Sequence, residues 1–233
     1  KVIKLQEYFS TIMNEIDNFS NKNPVKTIML TGGRSAMKLY DKWFNTLSFD
    51  RYKNCKFYFT DERCVPKNSK DSIFSSISPK LFNNIPKNQV ERIKADTKDL
   101  SNEIERYSKI LPDSIDLIIL SVGEDGHIAS LFPNNFSMKN NFKLMQVLNA
   151  PKFPKRRISI TPEVIINAKK IILMAEGKIK GKILAKALLD VNNYIALPVR
   201  LVLGRTWLLN HEASIYFKLN KKINAYKTEI IFA

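Results

Sequence analysis

The chain has two cysteines, two histidines and seven glycines in 233 residues. Cys55 and Cys64 are too few for a disulfide framework. With His127 and His211 as the only imidazoles, no Cys/His spacing fits a structural zinc site, so no metal is expected. No run reaches the 18 or so apolar residues of a membrane span, and the opening KVIKLQEYFS lacks the apolar core of a secretory signal. A cytoplasmic protein without membrane association is therefore expected. The chain begins with Lys rather than Met, which is compatible with a fragment of a longer or fused protein. Acidic residues are also scarce: 22 Asp+Glu against 38 Lys+Arg leave a net charge of +16. That excess would suit nucleic acid, a membrane surface or an anionic small substrate. The lysines and arginines are scattered, with denser groups at Lys152–Arg157, Lys178–Lys186 and Lys218–Lys222, and no motif interleaves them with aromatics. A solvated lysine-rich surface is the expectation, and not nucleic-acid binding.

Glycine makes up about 3% of the chain against a usual ~7%, yet four of the seven are Gly32, Gly33, Gly123 and Gly126. They bracket two loops that follow apolar runs. The first loop, Thr31-Gly32-Gly33-Arg34-Ser35, links the strand-like Thr27–Leu30 to a helical stretch reaching about Thr46. Free N–H groups at a helix start, a hydroxyl from Thr31 or Ser35 and the helix dipole would favour a phosphate dianion. The loop is neither G-x-x-x-x-G-K-[ST] nor G-x-G-x-x-G, so no nucleotide cofactor is expected. The second loop closes Asp116–Pro133, DLIILSVGEDGHIASLFP, where a buried strand at Leu117–Val122 runs into a turn holding Asp125 and His127. An imidazole beside a carboxylate at a strand end is a candidate for acid–base chemistry.

The remaining pattern alternates short strands and helices. Helices are expected over Val2–Phe19, Asp71–Leu81, Asp99–Ile110 and Gly177–Asp190, with another starting at Thr161-Pro162-Glu163. Strands are expected at Lys56–Thr60, Leu144–Leu148, Arg157–Thr161 and Lys170–Ala175, and Leu197-Pro198 precedes a final helix and a strand ending at Leu209. Asp61-Glu62-Arg63 follows a strand as a charged turn, from which Arg63 could meet phosphate or a developing oxyanion. The fold class implied is α/β: three layers, α/β/α, around a mainly parallel, Rossmann-like sheet, in one domain over residues 1–233.

Taken together these segments resemble the 6-phosphogluconolactonase family, within the superfamily that includes glucosamine-6-phosphate deaminase. LTGGRSAMKLY (Leu30–Tyr40) is similar to the family's phosphate loop, FTDERCVP (Phe59–Pro66) to its DER element, and VGEDGHIASLFP (Val122–Pro133) to its DGH segment. RISIT, GKIK, LP and TWLLNHEA follow in the family's order up to Ala213. Arg34 and Ala36 stand where Ser and Pro are usual, and Ile73 where Asn is usual. The resemblance implies hydrolysis of 6-phosphoglucono-1,5-lactone without a cofactor. His127 would be general base, Asp125 would orient His127 or a substrate hydroxyl, and Arg63 would lie near the oxyanion or sugar hydroxyls. Thr31, Gly32, Gly33, Arg34, Ser35, Asp61, Arg157 and Lys180 would bind the phosphosugar. It also points to coupling or fusion to glucose-6-phosphate dehydrogenase as a partner. The alternatives are a deaminase-like isomerase, which carries an acidic residue where this chain has Phe132, and a non-catalytic phosphosugar-binding module. His211 is expected to be a surface or structural residue.

Overall fold

Alternating apolar segments of two periods build the molecule. A computed structural model describes residues 5–189, 192–218 and 228–232. Helix α1 (Leu5–Lys22) buries Phe9, Ile12 and Ile16 at helical spacing, and Tyr8 beside them donates its hydroxyl to the carbonyl of Leu208 at 3.1 Å. Then follow β1 (Thr27–Leu30), α2 (Arg34–Trp43), β2 (Lys56–Phe59), β3 (Asp61–Arg63), α3 (Ile73–Leu81) and α4 (Leu100–Ile110). The second half comprises β4 (Leu117–Ser121), β5 (Leu144–Val147), β6 (Arg157–Ile160), α5 (Pro162–Ile166), β7 (Lys170–Ala175), α6 (Lys178–Ala187), β8 (Thr206–Leu209), α7 (His211–Lys218) and β9 (Glu229–Phe232). Of the expected segments, Val2–Lys4, Asp190 and residues 219–222 lie outside the described residues.

Six strands form a parallel sheet in the order β2-β1-β4-β7-β8-β9. Helices α1 and α2 pack together, as do α6 and α7, forming the flanking layers of an α/β/α sandwich. Strands β1, β4 and β7 are buried almost throughout, as sheet strands covered on both faces must be.

Several local expectations change. The segments at 144–148 and 157–161 do not join the parallel sheet. They pair antiparallel as β5 and β6, with β3 added on the other edge of β6, in a second sheet of three strands. The Asp61–Arg63 turn is thus a strand, too short and too charged to show an apolar alternation. The helix after Leu197 is a single 3-10 stretch, Pro198–Val202, and α2 stops at Trp43. Strand β9 was not foreseen; it adds to the edge beside β8.

The period of two in β3 separates its three charges. Asp61 and Arg63 point to one side, and Glu62 to the other. Glu62 is 4% exposed, and its carboxylate accepts from the N–H groups of Ile73 and Phe74, both at 2.8 Å, from Arg63 N–H at 2.8 Å and from the Ser72 hydroxyl at 3.0 Å. It caps α3 from a distance and ties that helix to β3. Burial pushes its pKa up, and these hydrogen bonds oppose the rise. Glu62→Ala should lower stability by about 3 kcal/mol, because buried helical N–H groups would lose their acceptor. Urea unfolding checks this, and a loss below about 1 kcal/mol would mean that water replaces the cap.

Candidate active site

Strands β1, β4 and β7 are neighbours, and their carboxyl ends open on one cavity of ≈ 330 Å³. Strand order diverges between β1 and β4: the chain leaves β1 outward to β2, but leaves β4 in the opposite direction through β7 and β8. Such a switch point leaves a crevice between the diverging loops. Every expected site residue lines the cavity except Asp125, which meets it through His127.

The turn after β4 is closed by its own backbone. Gly123 N–H donates to His127 O at 2.8 Å, and Gly126 N–H to Gly123 O at 3.1 Å. Gly126 has φ 86°, and a Cβ on Gly123 would overlap the His127 ring. Both glycines are therefore required by geometry. Asp125 Oδ1 accepts from His127 N–H at 3.3 Å and makes a short contact with His127 Nδ1. Burial alone would raise the Asp125 pKa, but the hydrogen bonds and charge of His127 outweigh it and hold the carboxyl at about 2. An ionised carboxylate only accepts, so Nδ1 carries a hydrogen and, in the neutral ring, Nε2 keeps its lone pair. The Phe132 ring, fully buried, lies 4.5 Å from the imidazole centroid, and the Arg157 guanidinium lies 5.2 Å from the Phe132 centroid. His211 is exposed at the first residue of α7.

The Gly32-Gly33 turn delivers the start of α2. Gly33 is its N-cap, with φ 101° and no side-chain cap, so the first N–H groups of the helix have no intrahelical acceptor. Thr31 is pinned: the Tyr40 hydroxyl takes its N–H and donates to its carbonyl, each at 3.1 Å. A Cβ on Gly32 would come within 2.7 Å of Ile73, so this turn and the start of α3 are fitted to each other. Helix α6 begins in the same manner, at Gly177 with φ 89° and no side-chain cap, and sends Lys180 into the cavity 3.4 Å from Ser121 Oγ. Burial lowers the Lys180 pKa, and Glu176 and Glu124 pull it back up. Two helix starts thus supply positive dipole ends beside the cavity.

The small sheet supplies the remaining wall. Asp61 pairs with Ser159, and Arg63 with Arg157, across β3 and β6, which places all four side chains on one face. Arg63 Nη1 donates to Asp71 O at 2.7 Å, while its Nε is buried and has no partner among the described residues. Arg157 is held by the carbonyls of Pro154 and Lys152 at 2.9 and 3.0 Å, and burial lowers its pKa against the attraction of Asp61. The sequence reading missed Lys38, Lys152, Glu124 and Glu176. Lys38 was discoverable, one turn beyond Arg34 on the same helix, and Lys152 sits in the basic loop; the two glutamates carried no signal. The lining holds six cationic side chains (Arg34, Lys38, Arg63, Lys152, Arg157 and Lys180) against three anionic ones, Asp61, Glu124 and Glu176. Such a cavity favours an anionic ligand. Among the described residues no group of three or more His, Cys, Asp or Glu could hold a metal ion.

A family model described as glucosamine-6-phosphate isomerases/6-phosphogluconolactonase matches residues 4–209. A 6-phosphogluconolactonase of Borreliella burgdorferi is 31% identical over 193 residues, covering 78% of this chain and 81% of the relative. One of Haemophilus influenzae is 32% identical over 193 residues, covering 77% and 80%. A solved structure of 6-phosphogluconolactonase from Trypanosoma brucei superposes with a TM-score of 0.75 at 22% identity, over 90% of this chain and 94% of that one.

Proposed function

This chain belongs to the glucosamine-6-phosphate isomerase/6-phosphogluconolactonase family, and on that premise we propose how its site works as a 6-phosphogluconolactonase. The chain is a carboxylic ester hydrolase that converts 6-phosphoglucono-1,5-lactone to 6-phosphogluconate in the oxidative pentose phosphate pathway. The observation that carries the mechanism is the Asp125–His127 contact at the mouth of a cation-rich cavity. Asp125 keeps the hydrogen on Nδ1, so Nε2 takes a proton from water as its oxygen adds to the lactone carbonyl. The carbonyl electrons move to the oxyanion, near the Arg63 guanidinium, which lines the cavity. When the tetrahedral intermediate collapses, the ring C–O bond breaks, and the imidazolium returns its proton to the departing ring oxygen. The phosphate sits against the start of α2 with Arg34 and Lys180, and Asp61 and Arg157 complete the wall. Buried Phe132, where the isomerase reading needs an acid, supports lactone hydrolysis over ring-opening deamination.

We further infer one domain over residues 1–233, supported by a continuous hydrophobic cluster from Tyr8 to Phe217. A cytoplasmic setting fits the free thiols of Cys55 and Cys64, and among the described residues no helix is long and apolar enough to cross a membrane. Supply of the lactone by glucose-6-phosphate dehydrogenase, as a separate or fused partner, completes the proposal.

The decisive experiment generates the lactone with glucose-6-phosphate dehydrogenase and follows its disappearance with and without this chain; no acceleration over the spontaneous rate would refute the reading. Lys180→Ala should raise KM about 10- to 100-fold with a smaller change in kcat, since a charge-assisted bond to phosphate acts in ground and transition states alike. Arg157→Ala should also mainly raise KM, but it frees the Lys152 and Pro154 carbonyls as well, so Lys180 is the cleaner test. An unchanged KM in steady-state kinetics would remove either residue from the phosphate site.

A further inference from the structure

Beneath the site lies a buried polar linkage centred on Ser130. Ser130 is fully buried three residues beyond His127, and its hydroxyl donates to Asp61 Oδ2 at 2.6 Å. The same hydroxyl accepts from Arg157 Nη1 at 3.4 Å, and Ser130 N–H donates to Ser159 Oγ at 3.2 Å. The other Asp61 oxygen accepts from the Thr60 hydroxyl at 2.8 Å. Ser130 therefore joins the histidine turn of the large sheet to both strands, β3 and β6, that carry the facing wall. The preceding residue, Ala129, lines the cavity with φ 50°, a left-handed conformation disfavoured for a residue with a Cβ. Such strain persists only where surrounding contacts over-determine it. The contacts that do so here are the Ser130 bonds on one side and the Leu131 N–H to Ile128 O bond, 2.9 Å, across the turn.

We propose that Ser130 is a positioning residue of the lactonase: through its hydroxyl it fixes the Asp61 carboxylate and the Arg157 guanidinium relative to His127. The inference rests on the lactonase reading above. With the hydroxyl gone, Asp61 loses a short bond, Arg157 Nη1 loses its contact, and the turn at Ala129 is free to relax away from the facing wall. Misplacement on the scale of an ångström costs up to about 100-fold in rate without removing any group that touches substrate.

The test compares wild type, Ser130→Ala, Asp61→Asn and the double variant by kcat, KM and thermal melting. Ser130→Ala should fold and melt cooperatively, lose about 10- to 100-fold in kcat/KM, and show a much smaller further loss when added to Asp61→Asn, because both changes break one linkage. Wild-type kcat/KM in folded Ser130→Ala, or penalties that simply multiply in the double variant, would overturn the positioning role. If Ser130→Ala does not fold, Ser130→Cys, nearly equal in size but a poor donor, is judged by the same criteria. Failure of both to fold would make Ser130 a structural residue and overturn the proposal. A wild type inactive on the lactone would instead defeat the reading of the reaction, and this inference with it.

Discussion

His127→Ala is expected to lower kcat by a factor of ~10²–10⁴ while KM stays within about twofold, because removing a general base weakens only the transition state. The proposed phosphate contacts lie on other elements, at the start of α2 and on α6, so on that reading substrate affinity has no reason to change. His211→Ala is the internal control: exposed at the start of α7, it should leave both constants unaltered. Stopped-flow or coupled assays of purified variants decide the matter. Near-wild-type turnover in His127→Ala would move the base elsewhere, to Asp125 or to Asp61, although both Asp61 oxygens already accept hydrogen bonds.

Asp125→Asn should be nearly as damaging, approaching the ~10⁴-fold loss that the equivalent exchange causes in hydrolytic triads. An amide at that position offers N–H donors as well as a carbonyl. It can therefore stabilise the imidazole with its hydrogen on Nε2, which leaves no lone pair for water. Asp125, held at about 2, is below the ordinary carboxylate value, so the stability it contributes is present above the unfolded-state pKa and is lost as pH falls through about 2. It does not titrate in the neutral range, and an acid limb of the rate above pH of about 5 belongs to another group. Asp125→Asn should thus lower kcat across the whole range without shifting the position of the limb to that of a carboxylate. A variant retaining more than about a tenth of wild-type kcat would mean that Asp125 does not set the tautomer.

Much of this site was legible because its parts are local. Two glycine pairs in a glycine-poor chain marked both loops, and the strand ahead of each loop was apolar enough to be read directly. The register of Asp61-Glu62-Arg63 was not legible. Three consecutive charges have no period, and only pairing with β6 shows that the middle one caps α3 while the outer two face the cavity. The same holds for Arg157, which lines the cavity while the carbonyls of its own loop hold its guanidinium.

By itself the chain determined the parallel sheet, the order of its elements, the two glycine-bracketed loops and the place of His127 at a strand end. These follow from hydrophobic period, glycine placement and motif, which act within a dozen residues. Only the tertiary structure decided that β3, β5 and β6 leave the main sheet, that α6 brings a second uncapped helix start to the cavity, and that Ser130 links Asp61 to the histidine turn. Those relations join residues tens of positions apart, and the partner of a buried polar group is chosen by packing across the fold, where one-dimensional pattern carries no information.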